Sequence, residues 1–153
     1  MFIRALLSFL ILPGVIAGAI PALIVTLESH RSNPSAFGLP VLSLGIFLLI
    51  YCVRDFFVAG KGTLAPWDPP KHLVTVGLYR AVRNPMYVAV LTTIVGWSLT
   101  TGSLWLTWYA FVMALIFHLR VISFEEPVLK RQFGEEWRSY SAKIPRWIPK
   151  LWR

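Results

Sequence analysis

The sequence predicts an all-α integral membrane protein with about four transmembrane helices, a cytosolic middle loop and a C-terminal cytosolic or interfacial helix. Three observations point there. Of the 153 residues, 56% are hydrophobic and the mean hydropathy is +0.63, far above a soluble globular chain. Residues 5–27, 32–53 and 84–119 contain no Asp, Glu, Lys or Arg. Thirteen of the fifteen Lys and Arg residues fall in 54–83 or 120–153. At this length the chain reads as a single domain, 1–153.

The first span is set at about 5–27, with Pro13, Gly14, Gly18 and Pro21 predicting a kinked helix whose neighbours satisfy the released backbone groups. Ala17-Gly18-Ala19 mimics a signal-peptide cleavage site, but the apolar run continues to Leu27, beyond a usual signal core. The second span is set at about 38–58, where Ser43 and Gly45 permit close helix approach. The 84–119 run is too long for one crossing and contains the turn-forming cluster Thr100-Thr101-Gly102-Ser103. A tight hairpin of spans at about 85–100 and 103–121 follows. The segment 122–153 is cytosolic, with an amphipathic helix over 127–140 on which Val128, Leu129, Phe133 and Trp137 recur at helical intervals. In the last residues, Ile144 to Arg153, tryptophans alternate with basic side chains, the composition of a tail at headgroup level.

The positive-inside rule places both termini and the middle loop in the cytoplasm, as expected of a multi-pass protein of a bacterial or archaeal inner membrane. The formal charge of +8 therefore reads as topology and attraction to anionic membrane lipids, and argues against a nucleic-acid partner. The single Cys52 lies in an apolar span, so no disulfide framework is expected. Three scattered histidines and that cysteine give no metal-ligand spacing, and no nucleophile elbow or phosphate loop occurs.

Polar groups gather where the spans meet the cytosol. Asn84-Pro85 has the composition of a helix start, with Asn as N-cap and Pro in the first turn. With Arg80 and Arg83 beside it, that helix start predicts an anion-binding corner. Glu125 and Glu126 follow Arg120 where the last span leaves the membrane, and carboxylates there suit an ammonium or sulfonium ligand, with Tyr79 or Tyr87 adding cation–π attraction. His118 reads as a satisfied polar group in the bundle. Pro127 directly after the glutamates predicts a helix break.

Taken together, His72-Leu73-Val74-Thr75-Val76-Gly77-Leu78-Tyr79 through Arg83-Asn84-Pro85-Met86-Tyr87, then Glu125-Glu126, Leu129, Phe133-Gly134-Glu135-Glu136-Trp137, Tyr140 and Ile144-Pro145, resemble the isoprenylcysteine carboxyl methyltransferases and their phospholipid methyltransferase relatives. The resemblance covers about the C-terminal half of the chain. It implies a membrane enzyme that uses S-adenosylmethionine, releases S-adenosylhomocysteine and methylates a lipid or lipophilic small molecule.

By the same resemblance the middle loop binds the cofactor: Lys71, His72, Leu73, Val74 and Tyr79 would contact it, Asn84, Pro85, Met86 and Tyr87 would wrap its other side, and Glu125 would bind its polar end. Arg120 would hold the carboxylate of the acceptor, although it stands about one position from the family's arginine. Asn84 replaces a frequent family histidine and cannot titrate near neutrality. The leading expectation is O-methylation of a carboxylate. The alternative in the same chemistry is a phospholipid or amine N-methyltransferase, with Glu126 as base, and the alternative of another class is a non-catalytic membrane scaffold or lipid sensor.

Overall fold

The computed structural model describes residues 10–29, 34–60 and 71–149. The expectations resting on residues 5–9, the tip of the first loop with Arg31, the central 61–70 portion of the middle loop and the last four residues lie outside the described residues.

Among the described residues the secondary structure is helical throughout. A π-helical stretch, Leu10–Ala19, contains Pro13 and runs into α1, Ile20–Leu27. The proline removes a backbone donor and the helix widens around it. Tyr109 satisfies a carbonyl of this stretch, its hydroxyl donating to Ile16 O at 3.0 Å. Helix α2 spans Gly38–Gly60 and α3 spans Pro85–Thr101. Helix α4, Leu104–Arg120, continues through a second π-helical stretch, Val121–Glu125, into α5, Glu126–Lys143. Two helical segments, Gly38–Phe56 and the continuous Leu104–Lys143, are long and apolar enough to cross a membrane, and Pro13–Leu27 and Pro85–Thr101 are shorter apolar helices.

The antiparallel contact between α2 and α3 is built on glycine. A Cβ at Gly38 would stand 2.2 Å from Thr100 N, one at Gly45 2.5 Å from Thr93 N, and one at Gly96 2.4 Å from Leu42 Cα. The three contacts lie in one register, so the backbones meet along the whole seam. Thr93 and Thr100 turn their hydroxyls back onto their own helix, donating to Ala89 O at 2.9 Å and Gly96 O at 2.7 Å, and so present no unpaired polar atom to the seam. Ser43, by contrast, is exposed. Many large apolar side chains face outward, including Phe47, Ile50, Phe111 and Leu115, the surface a hydrocarbon solvent accommodates.

The hairpin predicted at 100–103 forms. Gly102 closes α3 in the left-handed conformation at φ 68°, and the Ser103 hydroxyl accepts from Leu106 N at 3.1 Å as the N-cap of α4. Pro127 does not break the chain. It falls in the first turn of α5, where its missing N–H costs nothing, and the interruption lies instead at Gly134, with φ 50° and ψ −116°.

Candidate active site

The predicted site residues converge where α3 begins and α4 gives way to α5. Before α3 the chain makes a 3-10 turn, Gly77–Arg80, entered through Gly77 at φ 55°. The turn drives Tyr79 into a pocket with Val74 and Cys52, where burial pushes its phenol well above the ordinary tyrosine value. Lys71 and His72 are exposed and Leu73 is half-buried, so of that segment Val74 alone is fully enclosed. Met86 packs on the Tyr79 cluster and also on the main core around Ile94 and Phe117.

Asn84 does not cap α3 with its side chain. Its Nδ2 donates instead to Arg146 O at 3.2 Å, and Arg83 N donates to Pro145 O at 2.8 Å, so the C-terminal segment is laid across the helix start. Arg83 also departs from the predicted anion corner: its guanidinium meets Glu126 at 3.1 Å and lies over the Trp137 ring, which leaves Arg80 as the exposed cation there.

Two polar junctions result. In the first, the Tyr87 hydroxyl donates to Glu125 Oε1 and Arg120 Nε donates to the same oxygen at 2.8 Å, while the Tyr87 ring stacks on Phe117 with centroids 4.4 Å apart. The π-helical stretch makes this meeting possible. A turn widened by one residue brings Arg120 and Glu125, five apart in sequence, to the separation that residues four apart have in an α-helix.

In the second junction, Arg146 donates from Nε and Nη2 to the two oxygens of Glu126 at 2.7 and 2.8 Å, with Arg83 alongside. Burial alone would raise the Glu126 carboxyl. The Arg146 hydrogen bonds and the charges of Arg83 and Arg146 outweigh it and hold the group below the ordinary glutamate range. Glu126 is thus clasped between Arg146 and Arg83.

Sequence reasoning passed over Arg146, Trp147 and Tyr140 as site neighbours. Trp147 Nε1 donates to His118 Nδ1 at 3.2 Å and its ring stands 6.4 Å from that of Tyr87. Tyr140 donates to the carbonyl of Tyr79 at 2.7 Å, and burial pushes its phenol up to about 12. The basic Trp-rich composition of the tail had suggested lipid headgroups, and only the interrupted Ile144-Pro145 motif marked it otherwise. A cleft of about 820 Å³ opens beside these groups, lined among others by Thr75, Arg80, Ser139, Tyr140 and Lys143. Among the described residues no cluster of His, Cys, Asp and Glu has the makings of a metal site.

Comparison with known proteins gives two matches. The model of the phospholipid methyltransferase family matches residues 33–136. A Haemophilus influenzae protein described as uncharacterized is 34% identical over 64 residues, 41% of this chain and 100% of that protein. No solved structure matches.

Proposed function

The chain belongs to the phospholipid methyltransferase family, and from that premise we propose that it transfers a methyl group from S-adenosylmethionine to a lipophilic acceptor at the membrane surface. In this reading the Leu10–Leu27 segment, α2, α3 and α4 all cross the bilayer of a bacterial or archaeal inner membrane, in a single domain with both termini on the cytosolic side. The two junctions then stand at the cytosolic end.

The observation that carries the proposal is the joining of Tyr87, Glu125 and Arg120 at one carboxylate oxygen. The donor, when bound, supplies a methyl group made electrophilic by a sulfonium. The residues present suit such a molecule. Glu125 would receive its ammonium and Tyr87 would stand by the sulfonium as an aromatic partner. Arg83 Nε, a buried donor with no hydrogen-bond partner, would find an acceptor in the donor's carboxylate. The cleft lined by Arg80, Tyr140 and Pro145 is within the size range of cofactor pockets. What the chain contributes to catalysis is alignment of donor and acceptor, which supplies several kcal/mol of barrier reduction.

Support for a carboxylate acceptor comes from the occupied glutamates. Glu125 is shared by Tyr87 and Arg120, and Glu126 is gripped by Arg146. An acceptor that arrives already ionised needs no base, and the half-exposed Arg120 would hold it at the rim. The second reading, methylation of a phospholipid amine, is favoured by the family's description; Arg120 would then hold the lipid phosphate. Calorimetric titration of the detergent-purified protein with S-adenosylhomocysteine tests the proposal. Binding by wild type that is lost in both Tyr87→Ala and Glu125→Gln is expected, and a folded wild type that binds nothing would replace it with the scaffold reading.

A further inference from the structure

At the other end of the bundle, where α1 stops and α4 starts, an apolar cleft of about 440 Å³ is lined by Leu27, Glu28, Trp105, Trp108, Tyr109 and Val112, among others. From Trp108 to Arg120 the helix rises about 18 Å, so this cleft is separate from the junctions described above. Its walls are fixed: Tyr109 is tied to Ile16 O, and Trp108 packs edge-on to Phe111 with centroids 6.3 Å apart.

Glu28 is the anomaly in it. Its backbone closes α1 by donating to Ile24 O at 3.0 Å, and the residue lines the cleft. Its Oε2 is buried and has no hydrogen-bond partner among the described residues, a condition that native proteins rarely leave without a purpose. Glu28 is also the first acidic residue in a chain of net charge +8, and the next is Asp55. Exposed tryptophans at a helix end are by themselves an interfacial belt. A belt has no use for a carboxylate lacking a donor. Carboxylate, indole faces and an apolar trough together have the chemistry of a site for an amphiphile carrying an ammonium head.

We propose that this cleft binds a phospholipid with an ammonium head group, the nitrogen against Glu28 and the rings of Trp105 and Trp108, one acyl chain along Leu27 and Val112. The site rests on the membrane character of the chain and is independent of the acceptor methylated at the other end.

Native mass spectrometry of the full chain, released from detergent in the presence of equal phosphatidylethanolamine and phosphatidylglycerol, tests it. Wild type is expected to retain the ammonium lipid about tenfold better, the size of one charge-assisted contact. Glu28→Gln abolishes the preference, and Val112→Trp, which fills the trough, removes the bound lipid while thermal unfolding verifies that both variants are folded. Arg120→Ala keeps it. Equal retention of the two lipids by wild type, or a preference unchanged in Glu28→Gln, overturns the site. So does lipid lost from Arg120→Ala but not from Glu28→Gln, which would assign it to the other end of the bundle. A lipid-free dimer that Val112→Trp separates would assign the cleft to a second copy of the chain and overturn the proposal equally.

Discussion

Arg146 grips both oxygens of Glu126, at 2.7 and 2.8 Å, across twenty residues of sequence. Arg83 presses on the same carboxylate from the start of α3. Three separate stretches of chain therefore meet at one half-buried anion, and removing it leaves two guanidiniums side by side without their shared counter-charge.

Glu126→Gln is expected to destabilise the protein by about 1–3 kcal/mol, the range for a hydrogen-bonded charged group that loses its partner. The sign with pH follows from the lowered carboxyl. Its stabilising contribution is complete above the ordinary glutamate value of 4.5 and disappears as pH falls through the lower value of the folded state. Thermal unfolding in detergent at pH 7 and at pH 4 checks this: the wild type should lose more on acidification than Glu126→Gln does.

Tyr87→Phe keeps the stack on Phe117 and deletes the hydroxyl that reaches Glu125. Affinity for S-adenosylhomocysteine is expected to fall by only about threefold, since the ring stays and the lost hydrogen bond lies within the protein. Tyr87→Ala loses the ring as well and should bind more weakly still, which calorimetry resolves.

The glycines divide sharply. Gly45→Leu and Gly96→Leu drive a side chain into backbone and are expected to cost at least about 1–3 kcal/mol and to expose α2 or α3 to proteolysis. Gly18→Ala meets nothing within 4 Å and should leave the unfolding temperature nearly unchanged. A melting series on the three variants decides it.

Ser103→Ala removes the hydroxyl that caps α4 and should cost about 1 kcal/mol. Asn84→Ala, whose side chain caps nothing, should spare α3 and loosen the contact with Arg146 instead. Hydrogen exchange locates the two effects: faster exchange at Leu106 in the first variant, and at Arg83, whose N–H is held by Pro145 O, in the second.

Apolar run length and the Gly102-Ser103 signal were enough to predict the hairpin, because a span must be apolar throughout and a tight turn needs a left-handed residue and a cap. Gly45 was legible as a packing residue, whereas Gly38 and Gly96 were not, since glycine in a membrane helix signals contact only once its partner is known. At the candidate site, Tyr87, Glu125 and Arg120 were marked as candidates by the motif. Their meeting was not, because it depends on the widened turn at Val121–Glu125, which no side-chain pattern announces. Asn84 was misread as a cap, and the partners of Glu126 were not foreseen, for one reason. Local rules assign a cap to the first and no partner to the second, but both are claimed by Arg146, which is remote in sequence.

Pro145, Arg146 and Trp147 touch the start of α3, the end of α4 and the start of α5, and they lie downstream of all three. A ribosome delivers them after the helices they join have already emerged. Helix pairing can therefore be completed in a nascent chain before these three residues arrive, and the contacts they make close after those between the helices. A chain ending after α5 would thus keep its helix pairs yet leave Asn84 and Glu126 without the partners that Arg146 supplies.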